Sequence, residues 1–227
     1  TFKQLNVEIQ PPGTIQQPLS CARFSPTATP TTSNTPQGNS GSSLIVNVTI
    51  PNSIGLLPNT NNSVDVNITL PPSALPQSGP NLFLDAESSV GNISVDGLSG
   101  QLDIKGSTGN ITVKQSYLTS GSDIETGAGD INFDGRLIVP PNPATQANFK
   151  FSSEKGTLTL SLPSTTNVTV DANTNSGKIR GDFNLQAQTT GEEAGYNGPL
   201  IAGAGTPAAT LVTDVGLGDI ILQKQQV

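Results

Sequence analysis

A glycine followed two positions on by an aliphatic residue recurs six times in the chain. The instances are Gly91-Asn92-Ile93, Gly109-Asn110-Ile111, Gly129-Asp130-Ile131, Gly156-Thr157-Leu158, Gly177-Lys178-Ile179 and Gly218-Asp219-Ile220, at spacings of 18, 20, 27, 21 and 41 residues. Self-similarity at such a period marks a repeat architecture and restricts the possible folds more than any bulk property does.

The flanks repeat with the anchor. Four residues after each glycine stand Val95, Val113, Phe133, Leu160, Gly181 and Leu222. Five before it stand Ala86, Ile104, Ile124, Phe151, Ala172 and Thr213, and seven before it Leu84, Leu102, Ser122, Phe149, Val170 and Leu211. Side chains alternate faces along a strand, so each of these sets lies on one face. Every unit therefore reads as a short strand, a tight glycine turn and a second short strand.

One unit offers about four inward apolar positions, too few to fold alone. Units stacked ~4.8 Å apart align equivalent positions into a continuous core. The pattern predicts an all-β fold, a parallel β-solenoid of about six or more coils, and six coils give a rod ~30 Å long. Glycine suits the turn because a positive φ costs it nothing. An antiparallel β-sandwich is the competing architecture, since it too is built from regularly spaced short strands. No stretch sustains a period of 3.6, so helix is not expected.

The organisation follows from this repeat. Residues 1–43 form an N-terminal strand and a Ser/Thr/Pro-rich extension; residues 44–227 form the solenoid, with its main repeats over 82–223. Leu5, Val7 and Ile9 alternate with polar residues and are stopped by Pro11-Pro12-Gly13. The Ser/Thr/Pro-rich stretch reads as a linker, a surface loop or an intermolecular clamp. Leu44–Pro51 and Val64–Pro71 form a local duplication of alternating strands, which adds coils or a cap. The long intervals read as coils with surface insertions, one at Val139-Pro140-Pro141-Asn142-Pro143 and one from about Gln186 to Thr206.

Composition narrows the function classes. A net charge of −7 with 4% aromatic residues leaves no basic stripe or stacking platform, so nucleic acid is not an expected partner. No segment approaches the ~20 apolar residues of a membrane-spanning helix, and membrane insertion by this segment is not expected. The chain starts Thr-Phe-Lys and contains no Met, which reads as a processed or truncated form. Its single cysteine, Cys21, reads as a small packed thiol.

Several phrases carry a family likeness. Ser89-Val90-Gly91-Asn92-Ile93-Ser94-Val95-Asp96-Gly97, Gly106-Ser107-Thr108-Gly109-Asn110-Ile111-Thr112-Val113 and Thr126-Gly127-Ala128-Gly129-Asp130-Ile131-Asn132-Phe133 resemble the coils of a bacterial adhesin-like family, the DUF4097-like β-solenoid domains. Leu162-Pro163-Ser164 through Gly177-Lys178-Ile179 resembles a turn of the same family, and the likeness spans about residues 64–223. It implies an extracytoplasmic β-solenoid and supplies no catalytic residues. The N-terminal Ser/Thr/Pro segment and the Gly/Ala-rich insertion near residue 203 depart from the family pattern.

The side chains point away from catalysis. Histidine is absent, which removes the usual neutral-pH base and the commonest metal ligand. No phosphate-cradling glycine loop stands in a strand-to-helix context. Asp103, Asp123, Glu125, Asp130 and Asp134 fall in neighbouring units and suit either a weak calcium site or solvated strand and turn positions. Polysaccharide-active β-helix enzymes also cluster carboxylates, so such an enzyme is a minor alternative. Sequons occur at Asn47, Asn61, Asn67, Asn92, Asn110 and Asn167, where the repeat itself generates Asn-x-Ser/Thr.

No cofactor, metal or catalytic residue is expected. The residues singled out are the structural glycines Gly91, Gly109, Gly129, Gly156, Gly177 and Gly218, and two tyrosines expected in inter-coil loops, Tyr117 and Tyr196, which read either as side chains packed against the flank of the coils or as ligand or partner contacts. The expected function is that of a non-catalytic adhesin-like protein, extracellular or at the cell surface. Its partner is an extracellular glycan or protein. In the alternative it is a copy of itself, the chain being a self-assembling subunit of a filament, sheath or surface layer.

Overall fold

The computed structural model describes residues 6–10, 31–33, 41–43, 65–69, 82–139 and 146–225. The chain divides into two compact units, Thr1–Pro71 and Pro72–Val227. In the first, β1 (Asn6–Gln10), β2 (Thr31–Ser33), β3 (Gly41–Ser43) and β4 (Asp65–Thr69) make two small antiparallel pairs, β1 with β4 and β2 with β3. The strand β1 is the one expected from the alternation of Leu5, Val7 and Ile9. Cys21, the duplicated segment Leu44–Pro51 and most of the Ser/Thr/Pro-rich stretch lie outside the described residues.

In the second unit each repeat glycine separates two strands. They are β5 (Leu82–Val90) and β6 (Ile93–Asp96), β7 (Ser99–Thr108) and β8 (Ile111–Leu118), β9 (Ser122–Ala128) and β10 (Ile131–Leu137), β11 (Ala147–Lys155) and β12 (Leu158–Leu162), and β13 (Thr169–Ser176) and β14 (Ile179–Gly181). After β15 (Gln188–Thr190) and β16 (Glu193–Pro199) comes the last glycine unit, β17 (Ala209–Leu217) and β18 (Ile220–Lys224). All 14 strands join one curled sheet, and every pairing is parallel except those made by β16. No helix occurs among the described residues.

Residues at equal distance from their own glycines stack. Ala86, Ile104, Ile124 and Phe151 are consecutive partners in the strands before the glycine. Ile93, Ile111, Ile131 and Leu158 are consecutive partners in the strands after it. The hydrogen bonds continue round the turn: Gly109 N–H donates to Ala128 O (2.8 Å) and Ile111 N–H to Asp130 O (2.9 Å). The inward positions read from the sequence form the core, except that Gly181 is exposed and Leu84, Ala86 and Ile93 of the first unit are half-buried. Leu102, Ile104, Ile111, Val113, Ile124, Ile131, Leu158 and Leu160 are fully buried, and Phe133 meets Phe151 with centroids 5.3 Å apart. Each such side chain contributes about 1.5–3 kcal/mol by leaving water.

The units do not stack in chain order. Along both ladders the sixth unit lies between the fourth and the fifth: β17 pairs with β11 on one side and β13 on the other, and β18 with β12 and β14. The 41-residue interval is therefore not a surface insertion in a coil. After β14 the chain turns back, β16 covers β13 antiparallel with Ala172 opposite Tyr196, and β15 pairs with β16. The chain then enters the slot left between the fourth and fifth units. The hairpin covers a sheet edge that would otherwise be exposed.

The glycines record the same order. A Cβ at Gly109 would overlap the Gly91 carbonyl, one at Gly129 the Gly109 carbonyl, and one at Gly156 the Gly129 carbonyl. One at Gly218 would overlap the Gly156 carbonyl, and one at Gly177 the Gly218 carbonyl. Positive φ, expected as the reason for glycine, holds at five of the six positions, for example 135° at Gly109, but not at Gly177. Close approach of the neighbouring rung is the requirement common to the five glycines that follow a rung.

Candidate functional site

Two side-chain ladders fix the turns. Asn92 Oδ1 accepts the Asn110 N–H (2.9 Å), Asn110 Oδ1 the Asp130 N–H (2.8 Å), and Asp130 Oδ1 the Thr157 N–H (2.7 Å). Beyond Thr157 the series resumes with Asp219 Oδ1 and the Lys178 N–H (2.9 Å). Inside the turn, Thr126 Oγ1 donates to Gly109 O (3.1 Å), Ser153 Oγ to Gly129 O (3.0 Å) and Thr174 Oγ1 to Gly218 O (2.8 Å). These three hydroxyls are buried, three residues before their own glycines. Ser88, Gly106 and Val215 hold the same position in the other units, so it carries no consistent apolar signal in the sequence.

Those ladders decide several candidates. Asp130 is a turn acceptor. Asn92 and Asn110, both in sequons, use their side-chain oxygens on the next rung, and Asn167 Nδ2 donates to Ala204 O (3.2 Å). Asp103 and Asp123 stand side by side on the outer face of the pre-glycine strands. Lys105 Nζ lies 3.3 Å from Asp103 Oδ1, and Lys150 Nζ lies 3.4 Å from Asp123 Oδ2 and 3.6 Å from Glu125 Oε2. The Asp103 carboxylate beside it holds the Lys105 ammonium above its ordinary value of 10.5. Asp134 lies on the other ladder, bonded to Gln225 Nε2 (2.8 Å). The five carboxylates thus fall in three places. Among the described residues no group of three or more His, Cys, Asp or Glu is disposed to hold a metal.

The two tyrosines lie in strands, not in loops: Tyr117 in β8 and Tyr196 in β16. Tyr196 is half-buried against the core, its hydroxyl donating to Pro199 O (2.8 Å). Tyr117 is displayed by a bulge. Lys114 pairs with Asp134 and Ser116 with Gly135, so Gln115 is an extra residue, at a φ of 48° rare for a side chain other than glycine. The bulge shifts the alternation by one. Ile111 and Val113 point inward before it, Ser116 and Leu118 after it, and Tyr117 turns outward. There it pairs with Arg136, whose Cζ lies 5.8 Å from the ring centroid, within range of a cation–π contact. The sequence does carry a trace of the shift, because Leu118 is out of phase with Val113.

Around this pair runs an open, polar groove of about 910 Å³, lined among others by Gln115, Asp134, Gln223 and Gln225. Gln225 Nε2 also donates to Gly135 O (3.0 Å) and ties the C-terminal segment to the groove floor. The groove offers an aromatic ring, a guanidinium fork, amides and carboxylates. Such groups bind by stacking and hydrogen bonding. A smaller depression of about 340 Å³ on the outer face, with Glu125, Ser152, Asn173 and Asp214 in its lining, has no aromatic side chain.

Comparison with protein-family models, curated proteins and solved structures finds no match to this chain.

Proposed function

We propose that this chain is a non-catalytic, adhesin-like β-solenoid protein of the cell surface or extracellular space, and that the Tyr117 groove is its contact site for glycan or protein. The β-solenoid reading and the DUF4097-like resemblance belong to this proposal. The in-register parallel ladders with a shared glycine turn support the first, and the repeat phrases support the second. The observation that carries the contact site is the bulge at Gln115. It spends an uncommon backbone conformation to turn an aromatic ring out beside an arginine. A glycan-array and matrix-protein binding screen tests it. Binding lost in both Tyr117→Ala and Arg136→Ala, with the fold intact by circular dichroism, is the expected result. Silence of the wild-type chain on every surface removes the reading.

A self-assembling subunit of a filament, sheath or layer is the second reading, favoured by the edge strand β5. Among the described residues it pairs only with β7, and Phe83 and Val90 are exposed on it. An unpaired edge is a template for another chain. Electron microscopy of the native material distinguishes isolated particles from ordered polymers.

A further inference from the structure

We propose that the slot between the fourth and fifth units accepts the C-terminal unit of a second copy of this chain, so that copies exchange Ala209–Lys224. This goes beyond the groove-binding reading and does not depend on it.

The argument starts from the order of the rungs. The fifth unit, β13–β14, is followed by the hairpin β15–β16, and only then does the chain supply β17–β18. Until that last segment arrives, β11 and β13 face a space one strand wide between them. β17 fills it with parallel pairings on both sides, from Ala147↔Ala209 to Lys155↔Leu217 and from Thr169↔Thr210 to Ser176↔Leu217. β18 does the same between β12 and β14. Leu211, Val215, Ile220 and Leu222 bring the missing part of the core, and Gly218 offers its carbonyl to Thr174. The slot is thus specific in register, inward pattern and turn.

Nothing in that complementarity requires the inserted unit to come from the same chain. A second copy presents an identical segment, and the two cases differ only in effective concentration, set by the connecting segment. That segment runs from Ile201 to Ala208 and lies outside the sheet. Gly203 and Gly205 adopt φ of 79° and 89° with open space around them. Apart from the strands themselves, it is held by the Asn167 side chain on Ala204 O, the Ala204 N–H on Ile201 O and the Ala147 N–H on Ala208 O. Eight residues extended reach ~27 Å, enough to pass to a neighbour. Reciprocal exchange closes a two-fold dimer, and one-way exchange propagates a chain of copies.

The test uses full-length chains carrying Cys21→Ser. Ser152 of β11 and Asp214 of β17 are register partners on the outer face. A chain with both Ser152→Cys and Asp214→Cys reports the slot by crosslinking within itself through a short bis-maleimide. Two further chains, one with Ser152→Cys and a large tag, one untagged with Asp214→Cys, are unfolded and refolded together at high concentration. A crosslinked band at the summed mass, missing when the chains are refolded apart and mixed afterwards, is the expected result. Unlinked single chains, with the double variant crosslinking internally, overturn the proposal. Failure of the double variant to crosslink at all, within one chain or between two, overturns the slot itself.

Discussion

Thr174 donates its hydroxyl to the carbonyl of Gly218, 2.8 Å away and 44 residues further along the chain. Thr126 and Ser153 make the same bond to glycines 17 and 24 residues behind them. The one forward bond among three follows from the inverted order of the last two units. Such a bond contributes modestly while it is made and leaves a desolvation cost when one partner is removed.

Thr174→Val should therefore destabilise the protein by about 1 kcal/mol, because the Gly218 carbonyl loses its donor in a half-buried turn. The decisive measurement is the urea midpoint with the slope unchanged. An unaltered midpoint would show that water or the backbone replaces the hydroxyl.

Thr213→Val should have the opposite sign. Thr213 is fully buried and its Oγ1 has no hydrogen-bond partner among the described residues. Replacing an unpaired hydroxyl by a methyl group relieves its desolvation cost, and a gain of about 1 kcal/mol is expected. A loss of stability in the same titration would mean that the hydroxyl is bonded.

The glycine stack predicts a sharp contrast between sites. Gly129→Ala places a Cβ on the Gly109 carbonyl and forces an alanine to a φ of 154°, so a loss of about 3 kcal/mol or more is expected. Gly191 has a φ of 66° with nothing within 4 Å, and Gly191→Ala should cost about 1 kcal/mol. Equal losses in thermal melts would refute close approach as the cause.

The outer ladder has a missing rung at Thr157. Asn110→Ala removes the acceptor of the Asp130 N–H and should cost about 1 kcal/mol. Thr157→Asn places a side-chain oxygen one rung from Asp219, as Asn92 and Asn110 do for their successors, and should stabilise by a similar amount. Amide hydrogen exchange at residue 219 reads the effect directly: slower exchange is expected in Thr157→Asn, and unchanged exchange counts against the ladder.

Much of the fold is legible in the sequence, and it is the part set by local rules. Alternation two and four residues after the glycine, and five and seven before it, predicts which side chains are buried, because side-chain direction in a strand has a fixed period. The recurring glycine predicts where the chain turns. The inward hydroxyls at Thr126, Ser153 and Thr174 escape such reading, since a polar residue signals the surface unless its acceptor is known. The acceptors belong to other rungs.

The candidate site is less legible. The sequence singles out Tyr117, but its display depends on a one-residue bulge at Gln115, and a slip of one residue moves every later side chain to the other face. Only pairing with β10 reveals it, through Tyr117 opposite Arg136. Gln225 reaches Asp134 across 91 positions of sequence, a juxtaposition no local pattern encodes.

By itself the sequence determines that the chain is a repeating β-structure with an aliphatic interior, a glycine at each turn and no histidine. Those properties are carried by single residues and their nearest neighbours. The tertiary structure alone decides that Gly218 lies between Gly156 and Gly177, and that the 41-residue interval is a capping hairpin and a return. The reason is physical. The units share a similar inward pattern, so local sequence does not order them; the pairing of β17 and β18 along both of their edges does.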